Sequence, residues 1–215
     1  MSDNTNRKAY EMGHGASRLQ VAKVLTDTKA EYTLDTWVEI PGLEEVNGTY
    51  EVKTDVFYAD NKAAKTLKTE GAPTRKFVLL GKLDPFYVAY LNGDYYNEAT
   101  GVYIEKKSAK QELFAVRYIT GLTDGDEVYS TWFSCALSNR SEDTAKTTTD
   151  SNEKTETTLE FTCLDPVHNW TLADGSKFSE RQLNIYKSKS SLDLESYFDN
   201  LTDLFPDEAD GVKGE

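Results

Sequence analysis

Apolar and polar residues alternate along much of this chain with a period of two, the pattern of half-buried β-strands. Between Thr49 and Tyr58, Tyr50, Val52, Thr54, Val56 and Tyr58 fall on one face, and Glu51, Lys53 and Asp55 on the other. Pro41-Gly42 breaks the chain before this segment, and Asp60-Asn61 supplies a turn after it. The same pattern predicts strands over 18–25, 32–40, 75–80 and 102–105. Stronger ones follow at 112–120, 127–137 and 157–164. In the first of these, Leu113, Ala115 and Ile119 alternate with Phe114, Val116 and Tyr118, so both faces are apolar. In the second, Tyr129, Thr131, Phe133, Cys135 and Leu137 are predicted to share a face, as are Leu159, Phe161 and Cys163 in the third. The Asp-Gly of GLTDGDE predicts a hairpin turn between 112–120 and 127–137.

Two segments change to the helical period. Asp84 as cap, Pro85 at the first position and Gly93 at the exit predict a short helix over about 84–92, with Phe86, Ala89 and Tyr90 on one face. Ser190 and Asp193 form a capping box before a stripe of Leu194, Tyr197, Phe198, Leu201, Leu204 and Phe205, which predicts a second helix over about 192–205. Residues 61–73 are small, polar and Lys-rich and fit either a loop or a short helical turn starting at Ala63-Ala64. The elements group into a flexible arm (1–15), a β domain (16–165) with a long polar loop at 138–156, and a C-terminal extension (166–215) with an acidic tail. The fold class expected is mainly β, a sandwich or barrel with one flanking helix and a C-terminal helix.

Composition narrows the function classes. A net charge of −13 opposes tight binding to nucleic acid phosphates. No run of about 18 apolar residues is present to span a membrane. The opening residues carry no apolar signal core, so the chain is expected to stay in the cytoplasm where it is made. Cys135 and Cys163 are too few for a disulfide framework and read as small buried hydrophobes rather than a bridge or a site.

Candidate chemistry is thin. His14 and His168 read as surface loop histidines, and no Cys/His cluster has metal-ligand spacing. Neither a nucleophile elbow nor a phosphate-binding glycine pattern is present. Asp124, Asp126 and Glu127 fit a charged hairpin turn better than a calcium loop. Trp37 and Trp132 fit a core or interface better than a sugar-binding face. No catalytic, cofactor-binding or metal-binding residue is assigned, no cofactor is expected, and an enzyme is not the reading.

The order of elements carries a resemblance. Ile40-Pro41-Gly42, a charged strand running into Phe57 to Asn61 (FYADN), the turn at Asp124 to Asp126 and the strand Thr157 to Thr162 follow one another. This resembles the major tail protein, or tail-tube protein, of long non-contractile-tailed phages of Gram-positive bacteria, over roughly 15–165. Residues 166–215 depart from the shortest pattern of that family. The resemblance implies a tail-tube β-sandwich or barrel whose copies form hexameric rings that stack into a hollow tube. It implies assembly in the host cytoplasm and residence in the virion tail. Its implied partners are further copies of itself, a tape-measure protein in the lumen, and tail terminator and distal tail proteins. DNA passes through without specific binding. Glu51, Lys53, Asp55, Phe57 and Tyr58 become candidates for a strand facing the lumen or a neighbouring subunit. Met1 to Gly15 and Ser138 to Glu156 are expected to include segments that order on stacking. Two rival readings remain: a secreted or surface β-sandwich binding carbohydrate or protein, which predicts a stable monomer, and the tube of a contractile machine, which needs an outer surface for a sheath.

Overall fold

In the computed structural model of the chain, residues 13–50, 52–59, 62–107, 111–122, 125–139, 155–171 and 177–200 are described. The first half runs β1 (Gly13–Asp27), β2 (Tyr32–Leu34), β3 (Val38–Ile40), β4 (Leu43–Thr49), β5 (Val52–Ala59), β6 (Lys62–Glu70) and β7 (Thr74–Leu80). Helix α1 (Pro85–Asn92) follows, then β8 (Tyr95–Asn97) and β9 (Val102–Ile104). The second half contains β10 (Leu113–Leu122), β11 (Glu127–Leu137), β12 (Glu156–Cys163), β13 (Trp170–Thr171), β14 (Lys177–Phe178), β15 (Gln182–Tyr186) and α2 (Leu194–Asp199). Among the described residues the fold is mainly β, with two short α-helices.

Among the described residues, nine strands form one antiparallel sheet with the path β2-β1-β10-β11-β12-β7-β4, while β3 adds to β1 and β15 to β11. The sheet curls back on itself. Ile40 of β3 pairs with Leu19 of β1, and Leu43 of β4 pairs with Leu79 of β7. A single bent stretch therefore joins the two ends of the ladder, as happens at the corners of barrels. The bend is Pro41-Gly42. Gly42 has φ +85°, and a Cβ there would come within 3.0 Å of the Leu80 carbonyl oxygen, so only glycine fits. The predicted strand 32–40 is thus two strands. Between them the Asp35 amide donates to the Lys23 carbonyl, and Trp37 is buried against Ala22 and Ala115 on the outer wall.

The barrel interior is filled by alternate residues of its strands: Leu19 and Val21, Phe77 and Leu79, Phe114, Val116 and Tyr118, and Leu159, Phe161 and Cys163. Phe161 meets Phe77 and Phe114 edge-on with centroids 5.9 and 6.1 Å apart, the geometry ring quadrupoles favour. On β11 the expected single face does not hold. Phe114 pairs with Cys135 but Val116 pairs with Trp132, so β11 carries one extra residue there. This bulge switches the alternation: Trp132 and Cys135 enter the core, while Phe133 packs outside with Trp170 and Phe178.

Helix α1 forms as its ends dictate. The Asp84 carboxylate accepts from the Phe86 amide at 2.9 Å, Pro85 opens the helix, and Gly93 closes it in the left-handed region. Leu91 and Tyr90 pack on the core, with Tyr90 beside Phe114. Helix α2 starts differently from expectation. Asp193, not Ser190, is the cap, accepting from the Ser196 amide at 3.1 Å. The helix stops at Asp199, Asn200 is extended, and the rest of the predicted 192–205 stretch lies outside the described residues.

The 61–73 stretch also departs from the loop or helical turn expected of it. Lys62–Glu70 is a strand that, among the described residues, pairs with β5 alone.

Candidate functional site

The segment singled out by sequence becomes one arm of a hairpin that stands apart from the barrel. β5 and β6 pair along their whole length, from Val52 with Glu70 to Ala59 with Lys62, and form a separate two-stranded sheet. Glu51 lies outside the described residues, and for Phe57 and Tyr58 only the strand backbone is described. Lys53 and Asp55 share a face of β5, are exposed, and approach each other to 4.0 Å. On β6, Lys68 and Glu70 pair at 3.0 Å. The alternation predicts a buried face through Val52 and Thr54, yet both are exposed, Val52 at 47%. Leu67, opposite Asp55, is also exposed at 43%. Among the described residues, these apolar groups and the two strand edges have no strand paired against them. From 52 to 70 the hairpin sequence carries Lys53, Lys62, Lys65 and Lys68 against Asp55, Asp60 and Glu70, a small positive excess opposite to the charge of the chain as a whole.

A second exposed apolar group lies where α1 meets the small β8–β9 hairpin. Phe86, Tyr95, Val102, Tyr103 and Ile104 are all more than a third exposed there.

Sequence reading missed a buried arginine that fastens the C-terminal segment to the barrel. Arg117 lies on the outward face of β10, fully buried, with its guanidinium 4.2 Å from the Trp37 ring and 4.7 and 4.8 Å from those of Tyr197 and Phe198. It donates to Gln20 Oε1 at 2.6 Å and to the Asn200 carbonyl at 2.9 Å. Gln20 donates in turn to the Phe198 carbonyl and to Glu39. A bulge in β1 places Arg18 in the left-handed region at φ 55°, and its side chain pairs with Asp199 at 2.8 Å and Glu39 at 3.2 Å. Two guanidinium groups therefore meet the end of α2, where unpaired carbonyls and the helix dipole favour positive charge. A six-residue helix is too short to persist alone in water. Burial of Leu194, Tyr197 and Phe198 over Ile119 and Tyr129 contributes about 2 kcal/mol each. The only sequence signal for this lock was a single charge inside an otherwise apolar strand.

His168 is buried rather than at the surface. Its amide and that of Val167 donate to the Asp27 carboxylate, Nδ1 lies 3.1 Å from the Thr28 carbonyl, and its ring packs against Tyr32 and Trp170. The Tyr32 hydroxyl donates to the Phe133 carbonyl, and burial raises its pKa well above that of a free phenol. These contacts hold the loop after β12 against the barrel. Trp37 and Trp132 are both fully buried, which rules out a sugar-stacking surface made of them. Asp126 caps the turn before α2, accepting from the amide and hydroxyl of Ser188. Asp124 lies outside the described residues. Among the described residues no group of three His, Cys, Asp or Glu side chains is placed to hold a metal ion, and no helix is long and apolar enough to cross a membrane.

Inside the barrel, Arg75 projects from β7 between the rings of Trp132 (4.3 Å) and Tyr50 (4.8 Å) and donates to the Tyr50 hydroxyl at 2.6 Å. Gly48 makes room for it, since a Cβ there would fall 1.8 Å from Arg75 Nη1. Close by, Cys135 and Cys163 are buried free thiols on directly opposed positions, with Sγ atoms 3.4 Å apart. A scan of the chain against protein-family models finds no match, and no curated protein matches it either.

Proposed function

We propose that this chain is a structural tube protein of the phage tail, whose copies close into hexameric rings that stack into a conduit for DNA. The observation that carries the reading is the free-standing β5–β6 hairpin. A lone two-stranded hairpin is marginal in water, and an exposed pair of strand edges is a template for another strand. Such an element makes sense where a neighbouring copy covers it. Its excess of lysines suits docking on the acidic body of the next copy, given the net charge of −13. The resemblance through Ile40 to Asn61 supplies the class of assembly, and the same segment forms the β3–β4 corner and the first arm of the hairpin.

In this reading the barrel is the wall unit and the hairpin is the connector between copies. Head-to-tail contact of one surface with a different surface closes rings by rotation and extends tubes by stacking. Lys53 and Asp55 lie on the inter-copy or lumen-facing strand. The partners are other copies of the chain, a tape-measure protein in the lumen, and terminator and distal proteins at the ends. The reading assigns DNA no specific contact and the chain no catalytic step.

Negative-stain microscopy of the purified chain over a range of concentrations tests this. Rings or tubes with a central hole of duplex width are expected. A monodisperse monomer under every condition overturns the proposal and favours a binding module instead.

A further inference from the structure

We infer that Cys135 and Cys163 form a modification site, a thiol pair that a peroxide oxidises to a cross-strand disulfide across a short join in the barrel wall.

The register makes the pair suitable. Among the described residues, the registered β11–β12 pairs run from Cys135–Cys163 to Leu137–Phe161. The Cys163 amide donates away from β11, to the Pro73 carbonyl at 2.8 Å, whereas the Leu164 amide donates to the Ser134 carbonyl at 2.7 Å. Cys135 and Cys163 are therefore a non-hydrogen-bonded pair of the antiparallel ladder. Such pairs bring Cα atoms to about 4.5 Å, within the roughly 4.4–6.8 Å that a disulfide spans. The Sγ atoms already lie 3.4 Å apart. The β11 bulge matters here, because without the extra residue Cys135 would face outward. These are the chain's only two cysteines, so each has one intramolecular partner.

Access and reactivity follow from the surroundings. Both thiols are buried, so the oxidant must be small and the join must open locally. A ladder this short is the kind of element that does so. Burial raises the pKa of Cys135, and Cys163 beside it adds to that effect. The Arg75 guanidinium acts in the opposite sense and favours a thiolate. One thiolate attacks hydrogen peroxide, the O–O bond breaks, and a sulfenic acid and hydroxide result. The second thiolate attacks that sulfur, the S–S bond forms, and the S–O bond breaks. The protons released by the two thiols neutralise the two hydroxides, giving two molecules of water.

The test treats the purified full chain with hydrogen peroxide, then unfolds it, alkylates free thiols and measures the intact mass. The expected result is a loss of two hydrogens, no alkylatable thiol, and reversal by dithiothreitol. The cross-linked chain should melt about 5–10 °C higher than the reduced one, and Cys163→Ser should show no such rise. Two thiols still alkylatable after treatment, oxygen added to sulfur without hydrogen loss, or an unchanged melting temperature in the cross-linked chain would each overturn the assignment. The mass readout on the unmodified sequence stands even if the variant fails to fold.

Discussion

The barrel and the β5–β6 hairpin are written in the same alternating code and end in opposite environments. In the barrel each inward residue meets partners across the core: Phe161 meets Phe77 and Phe114, and Trp132 lies under Arg75. In the hairpin the residues of the apolar phase, Val52 and Thr54, are exposed, as Lys53 and Asp55 are. Alternation specifies a strand with two unlike faces; it does not specify what covers the apolar one. In one region that cover is the chain itself. In the other, on our reading, it is a second copy.

Substitutions can sharpen or break this contrast. The largest effect should come from Phe161→Ala, which empties the middle of the core. A loss of about 3–5 kcal/mol in urea unfolding is expected, and a loss under 1 kcal/mol would mean the interior is loosely packed. Arg117→Leu should come next, leaving Gln20 and the Asn200 carbonyl without their donor. About 2–3 kcal/mol is expected, with faster amide exchange in 194–199 than elsewhere; uniform exchange would mean α2 does not depend on the lock. Asp84→Ala should cost about 1 kcal/mol through the lost cap on α1, read by thermal melting.

A pH titration separates the regions in another way. Burial pushes the Tyr90 phenol up to about 12, although the donated Lys23 amide pulls it down. Because the folded value is raised above the ordinary 10, the stability tied to the neutral phenol is complete below pH 10. It is lost as pH rises through about 12. Tyr90→Phe should flatten that loss, and a variant with the same alkaline profile would contradict it.

The smallest effect on folding should come from the paired change Val52→Asp and Leu67→Asp in the hairpin, within about 0.5 kcal/mol of the parent. The same variant should abolish rings or tubes. A hairpin variant that unfolds the barrel, or one that assembles normally, would erase the distinction between wall and connector.

How far the sequence revealed the structure follows the same divide. Helix α1 was legible because Asp84, Pro85 and Gly93 are local signals that act within one turn. The cores of β7, β10, β11 and β12 were legible because they are dense apolar runs, alternating in β12 and buried on both faces in β10 and β11. The bulge that flips Phe133 outward was not, since an inserted residue leaves no mark beyond a pattern that still looks regular. β4 escaped because its LEEVNGT sequence is largely exposed. β6 escaped because its Ala and Lys residues have weak strand preference, and its pairing with β5 supplies what propensity does not. The Arg117 lock needed residues from β1, β3, β10 and α2 brought together, which no local window contains.

The closure of the barrel also sets an order of events during synthesis. Val21 of β1 waits for Val116 of β10, a partner made far downstream, while β5 and β6 are two residues apart in sequence. Distant pairings form slowly because their loops must close first, and neighbouring strands meet within microseconds. On the proposed reading, a growing chain can therefore pair the strands of its connector while β1 of its wall still lacks its ladder. On the same reading, nascent chains crowded on one message would be able to meet through their hairpins before their barrels close.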